Sequence, residues 1–271
     1  MTETTKKRPA IIVANEKGGV GKSTLALAIT DRLTIAAYSP VVVQIDRQQR
    51  LSAAIGRNVI TIASDPKAAR TDPAKELARF SPVLDAIERA DAAAPIVIDV
   101  GAGEVGRFCE WAELVDLDEE FGEFGFHPVV FVPFTAEAEA MRQAHWTVER
   151  LTTAIPGAGI IIAENQRDGR VTDLHPSSAA WQEWANKLKP IVGRSALIVM
   201  GAIPGGSWRY FEAAGSRFIG VIDLDTPTAM QLSGLPRADA KIARGDVAQW
   251  LVAVFAELDR VLKMTETVDE E

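Results

Sequence analysis

The chain has 271 residues, 47% of them apolar, enough to bury a large core, and its formal net charge of −8 gives the surface as a whole no attraction for polyanions. A single cysteine, Cys109, excludes an intrachain disulfide framework and any all-cysteine metal or cluster site. No uncharged apolar run approaches the length of a membrane span, and Met1 to Arg8 lacks the apolar centre of a secretion signal, so a soluble cytoplasmic protein is expected.

The first element is an apolar run, Ala10-Ile11-Ile12-Val13-Ala14, followed by Lys17-Gly18-Gly19-Val20-Gly21-Lys22-Ser23-Thr24 and then an alanine- and leucine-rich helix, Leu25 to Leu33. Strand, glycine loop and helix in that order form the setting of a phosphate-binding loop. Glycines let successive backbone N–H groups turn around an anion, and the helix start adds free N–H groups and a positive dipole end. Lys22 can reach β- and γ-phosphates, and the Ser23 hydroxyl is placed to ligate Mg²⁺. The pattern Gly-x-x-x-x-Gly-Lys-Ser/Thr is nearly met: Ala14 or Asn15 stands near the place of its first glycine, and a second cation, Lys17, lies inside the loop.

Val41-Val42-Val43-Gln44-Ile45 reads as a second buried strand, ending at Asp46. A mixed stretch follows, with a short apolar segment Val59–Ile62 and an amphipathic helix from about Ala74 to Arg89. Pro95-Ile96-Val97-Ile98 is a third strand, ending at Asp99, and Pro128–Val132 a fourth, before a helix from about Ala136 to Ala154. Gly159–Ala163 and Ala196–Met200 supply two more strands, and Phe218–Val221 a candidate last one. Continuous β-branched runs separated by helices predict an α/β fold, a doubly wound, mostly parallel sheet with helices on both faces. Residues 1–264 are expected to form one domain, and the acidic segment Thr265–Glu271 a disordered tail.

Ligands in such sheets bind beyond the carboxyl ends of the strands, where Asp46 and Asp99 both stand. An aspartate there can be a simple turn former; two of them beside a phosphate loop favour a place in the binding site.

Residues 15–24, Asn-Glu-Lys-Gly-Gly-Val-Gly-Lys-Ser-Thr, resemble the deviant Walker A motif of the ParA/MinD family of dimeric ATPases. The resemblance implies a P-loop NTPase fold, with Gly18, Gly19, Val20, Gly21, Lys22, Ser23 and Thr24 around the phosphates of ATP. It implies that Lys17 crosses a homodimer interface to the partner's nucleotide. Asp99 resembles the Walker B aspartate that orients Mg²⁺, with Gly101 and Gly103 bringing a backbone N–H to the γ-phosphate. Asp46 is similar to the second aspartate of the Asp-x-Asp-Pro-Gln switch segment, which directs the attacking water; Gln44 and Arg47 replace its first aspartate and its proline, which implies slow hydrolysis. Asn165 and Pro204, in Ile203-Pro204, resemble the family's adenine-flanking elements, although Asn165-Gln166-Arg167-Asp168 is also one residue from the guanine motif Asn-Lys-x-Asp. The function implied is ATP-gated dimerisation with an adaptor that stimulates hydrolysis, serving the partitioning, positioning or conjugative maintenance of a plasmid, chromosome or other cargo.

Two surfaces bear on partners. The face Trp250, Leu251, Val254, Phe255, Leu258, Val261 and Leu262 of a helix from Val247 to Met264 is expected to dock on the core rather than on a membrane, since Glu257, Asp259 and the acidic tail repel anionic lipids. Between Gln166 and Arg217 there are seven basic residues against four acidic ones, a scatter of solvated charge that would also allow weak, non-specific DNA binding. The three histidines have no metal-ligand spacing. Other functions open to the same motifs are a metabolic synthetase of the dethiobiotin-synthetase or cobyrinate-amidase type, which needs an additional small-molecule pocket, and a nucleotide-gated binding module with negligible turnover.

Overall fold

The computed structural model describes residues 7–56, 58–64 and 72–262; the acidic tail expected over 265–271 lies outside them. Seven parallel strands form one sheet: β1 (Arg8–Ala14), β2 (Val41–Ile45), β3 (Val59–Thr61), β4 (Ile96–Val100), β5 (Phe126–Phe134), β6 (Gly159–Asn165) and β7 (Ala196–Met200), in the order β3-β2-β4-β1-β5-β6-β7. Because all run the same way, their carboxyl ends share one edge. In register, Val13 and Gln44 flank Asp99 on neighbouring strands.

Alternation along each strand divides the core between two faces. Ile11, Val13, Val42 and Val97 pack under α1 (Lys22–Ile35), with Leu51 of α2 (Arg50–Ile55) and the C-terminal helix in the same cluster. Ala10, Ile12, Ile96 and Ile98 pack under the helices of the opposite face. These are α3 (Pro73–Ala78), α4 (Ser81–Arg89), α5 (Val105–Leu114), α6 (Leu117–Glu123) and α7 (Ala138–Ala154), with α8 (Ala179–Glu183) and α9 (Lys189–Val192) before β7. After β7 come α10 (Trp208–Glu212), α11 (Phe218–Ile222), α12 (Thr226–Ser233) and α13 (Arg237–Leu262).

The structure corrects two element assignments. Phe218–Val221 is helix, not strand, and the seventh strand is Val59–Thr61. Four apolar residues fit either state, and here the buried pair Phe218 and Val221, three apart, faces α1 and α13 as one turn of helix. The helix expected from Ala74 to Arg89 is broken into α3 and α4, because Pro82 has no N–H to bond back into the preceding turn. The expected docking of the C-terminal helix holds: Val247, Trp250, Leu251, Val254 and Leu258 of α13 are buried against the sheet and α1. Among the described residues no helix is long and apolar enough to cross a membrane.

Candidate nucleotide site

At the carboxyl edge of the sheet the turn between β1 and α1 wraps a cavity of about 890 Å³. Counted back from Gly21, the place of the missing first glycine belongs to Glu16, not to Ala14 or Asn15. Asn15 is fully buried; its side-chain amide donates to the Pro133 carbonyl (2.8 Å) and its Oδ1 accepts from the Lys17 amide (2.8 Å), fixing where the loop leaves the sheet. The Glu16 amide donates to Thr147 Oγ1 (3.1 Å), and desolvation pushes the Glu16 carboxyl above the usual range.

Gly21 precedes α1 at φ 95, and a Cβ there would stand 2.3 Å from Asn165 Nδ2, so only glycine fits. Lys22 begins α1, is 7% exposed, and donates from Nζ to the Lys17 carbonyl (2.7 Å), curling back over the loop. Desolvation lowers its pKa from the ordinary value, while Asp99, Asp46 and Glu16 oppose that shift. Such a buried cation, held by one carbonyl, has donors left for an anion.

Ser23 Oγ donates to Asp99 Oδ2 at 2.8 Å. Asp99 is 1% exposed, and burial, with some help from Asp46, raises its carboxyl to about 6 despite Ser23 and Lys22. Its other oxygen, Oδ1, is buried with no partner among the described residues, an arrangement that costs free energy unless a water or hydrated cation fills it. A hydroxyl and an orphaned carboxylate oxygen beside the loop are the hard oxygen donors a hydrated Mg²⁺ takes. The residues present therefore fit that ion. The register neighbour of Asp99, Gln44, is fully buried, accepts from the Ser52 amide (3.1 Å) and leaves its Nε2 unpartnered.

Asp46 stands on the cavity wall; its Oδ1 accepts from the Gln48 amide (3.0 Å). Gly101 passes so close that a Cβ would lie 2.6 Å from the Ile45 carbonyl and 3.0 Å from Asp46. The Gly101 N–H is already donated to the Ile45 carbonyl (2.7 Å), so of the two glycines only Gly103, on the cavity wall, keeps the phosphate-approaching place expected of them. Between Asp46 and α2, Gln49 holds a left-handed backbone at φ 50, a costly conformation for a non-glycine residue.

The fold gathers Gly18, Gly19, Gly21, Lys22, Ser23, Thr24, Asp46 and Asn165 on one cavity wall. Val20, Lys17, Asp99 and Pro204 are not on that wall, although Val20 and Lys17 belong to the same loop and Asp99 bonds Ser23. The Lys17 ammonium pairs with Glu137 of its own chain at 3.4 Å. Asn165 is 7% exposed; its Nδ2 donates to the Val20 carbonyl (3.0 Å) and its Oδ1 accepts from the Arg167 amide (3.2 Å), so much of its bonding capacity goes to the loop rather than to a base. Gly201, Ala202, Ile203 and Gly206 line the cavity beside Pro204. Asp168 is bound by Arg167 Nε (2.9 Å) and is not on the cavity wall.

Sequence reasoning missed Gln48, Arg50, Glu104, Arg209 and Glu212 as wall residues; the core docking expected of Trp250 holds, and Trp250 and Trp208 are both buried while also lining the cavity. Glu104, one residue past Gly103, could have been found from spacing; the place of the tryptophans on the wall could not, since it depends on Phe218 of α11 packing against both Trp208 and Trp250. Of the seven basic residues between Gln166 and Arg217, Arg167 and Arg209 line the cavity, Arg217 pairs with Asp31 and Lys187 with Glu183. Among the described residues no group of His, Cys, Asp and Glu is arranged to hold a metal by itself.

The family model for the CobQ/CobB/MinD/ParA nucleotide binding domain (CbiA) matches residues 11–271. The chain belongs to this family. Among solved structures, the MinD cell division protein of Aquifex aeolicus matches with a TM-score of 0.52 at 13% identity, covering 95% of this chain and 98% of that one. The septum site-determining protein MinD of Pyrococcus horikoshii OT3, complexed with Mg-ADP, matches with a TM-score of 0.51 at 14% identity, covering 96% and 100%. At these identities the likeness shows the shared fold. A search of curated proteins finds no match. In this CobQ/CobB/MinD/ParA domain the glycine loop lies at the strand edge described above, with Lys17, Lys22 and Ser23 in sequence and Asp99 within hydrogen-bond reach of Ser23.

Proposed function

We propose that this protein is an ATPase of the ParA/MinD kind, built as one domain, that binds ATP with Mg²⁺, dimerises around it and hydrolyses it slowly to switch its hold on a partner or cargo. The observation that carries the reading is the buried Lys22 ammonium facing a glycine loop, one residue from a hydroxyl paired with a buried aspartate that has a free oxygen. The loop N–H groups and Lys22 bind the β- and γ-phosphates; the Ser23 hydroxyl and, through water, Asp99 hold Mg²⁺. When bound, that ion supplies charge neutralisation on the phosphate oxygens. Asp46, opposite the loop, orients the attacking water and accepts its proton as the γ-phosphoryl group leaves ADP.

Lys17, off the wall of its own cavity, is free to exchange Glu137 for the phosphates of a facing nucleotide. Without an aspartate at Gln44, one fewer carboxylate tunes the water, and turnover is slow until an adaptor protein completes the site in the cytoplasm. Isothermal titration tests the nucleotide claim: wild type binds ATP with Mg²⁺, and Lys22→Ala loses at least about 2 kcal/mol of binding, the scale of a charge-assisted contact. Unchanged affinity in Lys22→Ala would refute the site.

One observation favours a second reading, a small-molecule synthetase. A compartment of about 340 Å³ opens off the cavity between α1, α2 and α10, floored by Leu27, Leu51 and Trp208 and rimmed by Arg50 and Arg209. An amidase variant of that reading lacks a nucleophile, because Cys109 is buried in α5 and burial lifts its thiol to about 12. ATP consumption that stays first order in protein, with no dimer, would favour the synthetase.

A further inference from the structure

The turn after β6 is fastened to the phosphate loop at Asn165, whose amide bonds the Val20 carbonyl at 3.0 Å and whose oxygen caps the Arg167 amide at 3.2 Å. This fastening places the Arg167 side chain over the loop. Its Nη2 stands 4.0 Å from where a Cβ on Gly19 would be, and it lines the cavity. Its Nε is held by Asp168 Oδ2 at 2.9 Å, while its two terminal nitrogens have no hydrogen-bond partner among the described residues. The other arginines on the wall each have a side-chain partner: Arg47 bonds Ser64, Arg50 stands 3.9 Å from Glu212, and Arg209 bonds Tyr210 through a terminal nitrogen.

We propose that Arg167 is a nucleotide-binding residue, contacting the phosphate chain of the nucleotide held in its own chain, with Asp168 aiming its guanidinium. The inference rests on the nucleotide reading above and adds a second cation in cis, near Gly19 of the loop. A guanidinium suits this role because it is planar and always charged, and after Nε is committed it still presents two terminal N–H₂ groups to phosphate oxygens. The backbone supports the placement, since the absence of a side chain at Gly21 lets Asn165 come close enough to bond the loop, where a Cβ would stand 2.3 Å from its Nδ2.

Titration of wild type, Arg167→Ala and Arg167→Lys with ATP and Mg²⁺ over a series of salt concentrations, with thermal melts of each variant, tests the inference. Arg167 is half exposed, so the melting temperatures should agree. Loss of a partly solvated charge contact should weaken ATP binding about tenfold at low salt and flatten its salt dependence, while lysine recovers part of both. An Arg167→Ala affinity within twofold of wild type, or a weaker affinity with an unchanged salt slope, overturns the inference. Wild type that fails to bind ATP overturns the nucleotide reading itself, so the two failures are distinct.

Discussion

At the residue scale, the site divides labour between neighbours that differ in burial. Lys22 and Asp99 are enclosed, and each is held near the loop by one bond, Lys22 to the Lys17 carbonyl and Asp99 to Ser23. Asp46 lies on the open wall, bonded to the Gln48 amide but to no side chain of the phosphate subsite. Its removal therefore leaves the anion cradle intact. Asp46→Ala should bind ATP within about threefold of wild type yet lose hydrolysis by roughly 10²-fold or more, the scale of a lost general base. Phosphate release assayed beside titration checks this, and wild-type turnover in the mutant would place the water elsewhere. The loop lysines, Ser23 and the two aspartates were legible in the sequence because each occupies a fixed offset from a strand end or helix start. Asn165 was legible as a position but not as a role: its bond to Val20 joins residues far apart in the chain, from the end of β6 to the turn after β1, and no local signal encodes it.

At the element scale, α1 carries the loop and is clamped at its far end. Asp31, fully buried, receives Arg217 from the segment leading into α11, with Arg217 Nε at 2.7 Å, and Arg32 meets Asp259 of α13 at 2.6 Å. Burial raises the Asp31 carboxyl above its usual range, and Arg217 opposes that rise. A carboxyl held above its unfolded value binds its proton more tightly when folded, so its contribution to stability falls as pH rises through that window. Arg217→Ala removes the opposing charge and leaves a buried carboxylate alone. It should destabilise the fold by about 3 kcal/mol at neutral pH and by less at a second, more acid value, because protonating the carboxyl removes the stranded charge. Urea melts at both values decide it; equal losses would mean that Asp31 is not the group left unpaired. The same clamp explains the misread strand. Phe218–Val221 looks extended as a string of apolar residues, but the anchor of Arg217 on Asp31 starts a turn that sets Phe218 against Trp208 and Trp250. Strands buried on both faces were readable from their β-branched runs, whereas short pieces held by long-range packing were not.

At the scale of the whole molecule, the fold sets a nucleotide cavity at one edge of the sheet and leaves Lys17, the residue that marks the ParA/MinD resemblance, outside that cavity and paired with Glu137. A half-exposed pair of this kind is worth about 1 kcal/mol or less, so it is easily exchanged for a phosphate contact. In a symmetric dimer two such exchanges occur, each replacing a weak ion pair with a charge-assisted bond worth about 1.5–3 kcal/mol. ATP would then hold two chains together through these lysines, and the proposed switch depends on that hold. Sedimentation velocity with ATP and Mg²⁺ reads it directly, using Asp46→Ala to keep the nucleotide intact. Asp46→Ala should sediment as a dimer and Asp46→Ala carrying Lys17→Ala as a monomer; a double variant that dimerises like its parent would contradict the proposal.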